Sequence, residues 1–199
     1  MSQRQPRNND GQLARGRPRD PKTQQAILRA TRQILGKVGY ARLTVEGVAA
    51  RSGAGKATIY RWWPTKGDLA LEAAGTDIEI GVVPDTGDTR RDLLIATEQL
   101  IMTFTKRLAG IVIFAAISTV DDDPAMAAKF RDKYVYPWRT SAAEAIERGM
   151  QRGDLPADTD VQFLLDVMVG TVFQRTLVVR GPVTEGLAKQ LLNLVLPLD

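Results

Sequence analysis

Thr44-Val45-Glu46-Gly47-Val48-Ala49-Ala50-Arg51-Ser52-Gly53-Ala54-Gly55-Lys56-Ala57-Thr58-Ile59-Tyr60-Arg61-Trp62-Trp63-Pro64 is the stretch that decides the fold. It reads as two short helices, over 44–52 and 56–63, joined by a tight turn. Thr44 is a side-chain N-cap, and Leu43 before it is placed to staple onto Val48. Ala49 is small enough for the second helix to cross close to the first. Gly53 supplies the positive φ that a three-residue turn needs. Val48 and Ile59 face a shared core, and Pro64 stops the second helix. Lys56, Thr58, Tyr60 and Arg61 are left on the outer face. This spacing is that of a DNA-binding helix-turn-helix, whose second helix enters the major groove. Lys and Arg meet phosphates or guanine edges there, while Thr and Tyr hydroxyls reach phosphate oxygens.

On the N-terminal side, Ala26, Ile27, Ala30, Ile34, Leu35 and Val38 recur at helical spacing. Asp20 caps this helix, Pro21 suits its first position and Gly39 ends it. On the C-terminal side, Thr65 caps a fourth helix running to about Ile80. Residues 81–88, with Pro84 and Gly87, form a loop. The remainder reads as helices over about 88–108, 110–120, 124–152, 158–180 and 184–196, with Pro137 kinking or dividing the 124–152 helix. The expectation is an all-α chain of about nine helices. Residues 1–20 form a disordered basic arm, 21–66 the helix-turn-helix domain and 67–199 a helical effector-binding and dimerisation domain.

Charge supports this division. Residues 1–70 carry fourteen basic side chains against four acidic ones, a net +10. The overall +4 then leaves −6 for the rest. A basic third joined to an acidic remainder suits a polyanion-binding module on a separate domain. The chain has no Cys and no His, so disulfides and the usual zinc or nucleophile chemistry lose their ligands and bases. No metal or cofactor site is expected, and the chain does not read as an enzyme. Gly53–Thr58 imitates a phosphate loop, but Ala50 and Ala57 stand where that motif needs Gly and Ser or Thr. Asp121-Asp122-Asp123 reads as a loop ending in a helix cap, with a metal site as the lesser alternative. No apolar run approaches the roughly 18–20 residues of a membrane span. Met1–Arg19 lacks the apolar segment of a signal peptide, which places the protein in the cytoplasm.

The run from Thr44 through Val48-Ala49, Gly53-Ala54-Gly55-Lys56-Ala57-Thr58-Ile59-Tyr60-Arg61-Trp62-Trp63-Pro64-Thr65-Lys66 to Leu69 resembles the N-terminal domain of the tetracycline-repressor (TetR) family of transcriptional regulators. The likeness covers about residues 21–73. It implies a three-helix DNA-binding domain, a connecting fourth helix and a helical ligand-binding and dimerisation domain. It also implies that Thr44 caps the second helix and contacts a phosphate. Lys56, Ala57, Thr58, Tyr60, Arg61 and Trp62 then line the DNA face, Lys66 reaches the backbone and Trp63 sits in the small core. Gly55 and Trp62 depart from the residues usual in the family at these positions, which bears on base preference.

Arg15-Gly16-Arg17-Pro18-Arg19 resembles the core of an AT-hook and suits an A·T-rich minor groove. Its alternative is a solubilising tail. Phe104, Phe114, Tyr134, Trp138 and Phe173 are the candidates for lining a cavity with a small, mainly apolar ligand, or else they are plain core. Phe163, Val167, Val178, Leu187, Leu191 and Leu194 belong to helices with more apolar surface than one core-facing stripe requires. That surplus suggests a homodimer, whose two-fold axis would match a palindromic operator. The reading is a repressor released by its ligand. The alternative is an effector-independent DNA-binding regulator or an activator.

Overall fold

Nine helical rods and their connections make up the computed structural model, which describes residues 20–78, 80–183 and 186–196. No strand occurs among the described residues. Helix α1, Pro21–Val38, starts on the Asp20 carboxylate, which accepts from the Lys22 and Thr23 backbone N–H groups. Helix α2, Val45–Ser52, starts on the Thr44 hydroxyl, which accepts from Gly47 N–H at 3.1 Å. It ends at Gly53 in the left-handed conformation, φ 72°. Helix α3, Lys56–Trp62, follows at once, and its cap Gly55 offers no side-chain bond. Ile27, Leu35, Leu43, Val48, Ile59 and Trp63 close the core between these three helices.

Helix α4, Lys66–Ala74, opens with a reciprocal capping box between Thr65 and Asp68. It stops six residues short of the expected Ile80. Arg32 on α1 caps that end. Its guanidinium donates to the Ala73 carbonyl at 2.8 Å, to Thr76 Oγ1 at 2.9 Å and to both Asp77 carboxylate oxygens at 3.1 Å. A cation at the last turn of a helix satisfies an orphan carbonyl and complements the helix dipole.

The second half is built from α5 (Thr89–Thr105), α6 (Arg107–Ser118), α7, α8 and α9 (Leu187–Val195). Helix α7 runs over Pro124–Phe130, widens into a π turn at Arg131–Val135 and resumes over Tyr136–Arg152. Pro137 explains the widening. It lacks an N–H, and its ring would strike the carbonyl four residues back, so the helix takes a longer turn before it. Helix α8 repeats the device, running over Val161–Phe173 and then a π turn at Gln174–Val178. The 18-residue stretch Val161–Val178 is long and apolar enough by composition to cross a membrane, contrary to expectation, and only 22% of it is buried. The near-unbroken apolar run of this helix accounts for both facts.

Helix α4 touches both halves, packing on α1, α6 and α7. A Cβ at Gly67 would lie 2.8 Å from Asp123 Oδ2 and 2.9 Å from Met126 Cβ, so α4 and the start of α7 meet almost backbone to side chain. Lys129 of α7 pairs with Asp68 of α4 beside that contact.

Candidate DNA interface and ligand cavity

Helix α3 has only two turns, so its faces sort cleanly. Ile59 is fully buried, while Lys56, Ala57, Tyr60 and Arg61 are exposed and Thr58 is half-buried. Thr44 is exposed at the start of α2, on the neighbouring edge. Lys56, Ala57, Tyr60 and Arg61 thus lie on the side of α3 away from Ile59. Trp62 does not join them. It is 9% exposed, edge-on to Trp63 at 5.7 Å, with the Arg61 guanidinium 5.9 Å from its ring. The reason is helical spacing: Trp62 lies three residues beyond Ile59 and shares its inward face. Trp63 takes the expected core position, and its indole N–H donates to Glu72 at 2.6 Å. Arg15, Arg17 and Arg19 lie outside the described residues.

Lys56 reaches Glu46 at 3.3 Å, with both side chains more than half exposed. A backbone N–H bond, and after it the Lys56 ammonium, hold the Glu46 carboxyl below the usual range. Such an exposed pair is weak and exchangeable, so Lys56 remains available to a phosphate. Lys66 is half-buried at the foot of α4, with its ammonium 4.7 Å over the Tyr40 ring. Burial first, and the Asp123 carboxylate second, push the Tyr40 hydroxyl up to about 12. The Tyr40 hydroxyl is itself buried without a hydrogen-bond partner among the described residues. Tyr40 was not among the sequence candidates.

The second half encloses a cavity of about 420 Å³ between α5, α6, α7 and α8. Phe104, Tyr134, Trp138 and Phe173 line it, with Leu100, Ile113, Phe130 and Arg131 among the residues sequence reasoning missed. Phe104 and Phe173 meet edge-on at 6.4 Å, and Phe130 tilts against Tyr134 at 5.7 Å. Phe114 is the exception among the candidates. It is 46% exposed and borders a separate open groove with Tyr40 and Lys66, because it projects from a different side of α6 than Ile113 and Ala116. The π turn of α7 is half of the cavity's story: Phe130, Arg131, Tyr134 and Val135 lie in or beside it. Tyr134 also reaches out of the cavity. Its hydroxyl is 3.3 Å from where a Gly75 Cβ would stand, at the end of α4.

Asp123 caps α7 through Met126 N–H at 3.0 Å, and Asp121 and Asp122 are exposed. No cluster of three metal-ligating side chains occurs among the described residues. Of the proposed partner-facing residues, Phe163, Val178 and Leu194 are 67%, 51% and 79% exposed, and Val167 is half-buried. Leu187 and Leu191 are each 4% exposed and pack inside the subunit, where α9 lies on α5. Their stripe is the ordinary inward face of an amphipathic helix.

Residues 27–73 match the family model described as bacterial regulatory proteins, tetR family. Residues 83–195 match that of the tetracyclin repressor-like C-terminal domain. An uncharacterized HTH-type transcriptional regulator of Bacillus subtilis, YdeS, is 33% identical over 181 residues, covering 90% of this chain and 91% of the relative. A DNA-binding transcriptional repressor, TetR, of Mycobacteroides abscessus is 30% identical, covering 92% and 95%. Among solved structures, that of the TetR family transcription regulator SCO0332 is 32% identical with a TM-score of 0.62, covering 89% of this chain and 99% of the other.

Proposed function

Because the chain belongs to the TetR family of transcriptional regulators, we propose that it is a cytoplasmic repressor that binds a palindromic operator as a homodimer and lets go when a small, mainly apolar molecule enters the cavity. The observation that carries this reading is the position of α4. One end and one side of it are fixed to the DNA-binding domain, through Arg32 on Ala73 and Asp77, and through Glu72, which accepts from Gln24 at 2.8 Å and from Trp63. The other side meets α7, through Lys129 on Asp68 and through Met126 against Gly67. Tyr134 then joins the cavity wall to the last turn of α4. A rearrangement of the α7 π turn around a ligand would be felt at both ends of α4.

The thermodynamic requirement is that the ligand favour the conformer with wrongly spaced recognition helices. Equal affinity for both conformers would release nothing. Couplings of this kind are typically about 1–3 kcal/mol. On the DNA side, two-fold symmetry places the two α3 helices in successive major grooves, about 34 Å apart. The exposed Phe163, Val178 and Leu194 mark the surface on which the second subunit would sit.

Operator selection from random duplexes, followed by fluorescence anisotropy on the winning sequence, tests the reading. Enrichment of an inverted repeat bound by a dimer is the expected outcome. Binding with no duplex preference, or by a monomer to a single half-site, would sink it.

A further inference from the structure

The cavity is apolar almost throughout, yet one cation on its wall has no partner among the described residues. Arg131, the first residue of the α7 π turn, lines the cavity and is half-buried. Among the described residues its guanidinium makes no hydrogen bond and no ion pair. The nearby Arg139 differs: it is held by Asp166 at 2.7 Å and by Gln162 at 2.6 Å. Among the described residues, no Asp or Glu lines the cavity. One further donor on a lining residue, Trp138 Nε1, is buried with no acceptor among the described residues. Partly exposed apolar side chains stand with Arg131, notably Ile117 and Val120, which are 48% and 41% exposed although they line the cavity.

We infer that the cavity takes an amphipathic anion, with an apolar body among the aromatic rings and a carboxylate on Arg131. An unpaired guanidinium beside low-dielectric surroundings attracts a carboxylate strongly, because charge-assisted bonds gain there and a planar fork fits two oxygens. The volume of about 420 Å³ lies within the range of small-ligand sites. The five aromatic rings would by themselves also suit a quaternary ammonium. Arg131 opposes that choice, since its charge faces no carboxylate on the described lining of the cavity. The inference deepens the effector reading above and rests on this cavity being the effector site.

Calorimetric titration of the full chain with octanoate, octanol and octyltrimethylammonium separates these chemistries at constant apolar length. Octanoate is expected to bind at least about tenfold more tightly than octanol, and the ammonium most weakly. Arg131→Gln should bring octanoate down to the octanol value and leave octanol unchanged. Arg131→Lys, which keeps the charge, should retain much of the preference and guard against a folding artefact. Raised salt should narrow the octanoate–octanol gap. Equal binding of octanoate and octanol, tightest binding of the ammonium, no binding of any probe, or an anion preference that survives Arg131→Gln would overturn the inference. Operator release is read separately by anisotropy. An Arg131-dependent anion preference without release would refute the effector role and leave the anion site standing. Release without that preference would do the reverse.

Discussion

The two halves of this molecule do their work with oppositely arranged sequence. The proposed DNA-reading surface is contiguous in sequence: Lys56, Ala57, Tyr60 and Arg61 stand on one two-turn helix, with Thr44 a dozen residues before it. The cavity is gathered from four helices and lined by residues as far apart as Leu100 and Phe173. The difference shows where each half is vulnerable. An outward side chain on α3 can be removed without touching the core. The inner face of α3 and the α4–α7 contact cannot be altered without deforming what holds the reading surface in place.

The largest expected effect lies on the inner face. Trp63→Ala removes a side chain that is 2% exposed and an indole bond to Glu72. Large-to-small changes of this kind cost about 3–5 kcal/mol. Thermal denaturation should show the DNA-binding domain melting early, with the second half little changed. A single unshifted transition would mean that the two halves do not differ in this way. Gly67→Ala comes next. Its Cβ would intrude on Asp123 and on Met126 Cβ, and overpacking costs about 1–3 kcal/mol. Lowered stability together with an altered ligand response in operator release is expected. An unchanged melting temperature would show the α4–α7 contact to be looser than its geometry. Arg61→Ala should do the opposite of Trp63→Ala. Operator affinity should fall by about 1–3 kcal/mol if Arg61 reads a base edge, while stability stays within about 0.5 kcal/mol. A matching loss of stability would show that Arg61 supports Trp62 more than it serves DNA.

The same contrast explains what the sequence disclosed. Helix-turn-helix spacing is a local property, so the caps at Asp20, Thr44 and Thr65, the turn at Gly53 and the outward residues of α3 could all be read from neighbours in the chain. Trp62 was assigned outward by resemblance, although its distance from Ile59 already placed it on the inner face. The end of α4 was hidden, since the Arg32 guanidinium that caps it comes from over forty residues away. In the second half, aromatic type pointed to Phe104, Tyr134, Trp138 and Phe173, but only packing distinguishes them from Phe114 on the outside of α6. Arg131 carried no signal, because an arginine at helical spacing from Ala127 and Tyr134 reads as a solvated side chain until packing shows what it borders. Leu187 and Leu191 showed the amphipathic pattern correctly. That pattern does not say whether the apolar stripe meets its own subunit or another.

Smaller effects sharpen the picture of the reading surface alone. Removing residues 1–19 deletes five arginines, including Arg15, Arg17 and Arg19. Each phosphate contact contributes about 0.9 to the slope of log affinity against log salt. Operator binding by the shortened chain should therefore weaken and its salt slope flatten. An unchanged slope removes the arm from the footprint.

The smallest effect is expected at Gly55, the cap of α3. Its backbone is extended, at φ −67° and ψ 142°, a conformation open to any residue, and nothing lies within 4 Å of an added Cβ. Gly55→Ser would add the side-chain acceptor that α3 lacks and that α2 and α4 both have, so the recognition helix should be stabilised by a few tenths of a kcal/mol. Hydrogen exchange at the Ala57 and Thr58 amides should slow, and global stability should rise slightly. Affinity decides what the glycine is for. If operator binding is unchanged, Gly55 is a tolerated weak cap. If binding falls while α3 stiffens, the uncapped first turn is one that DNA itself completes, since the free N–H groups of a helix N-terminus are acceptor-seeking and suit a phosphate.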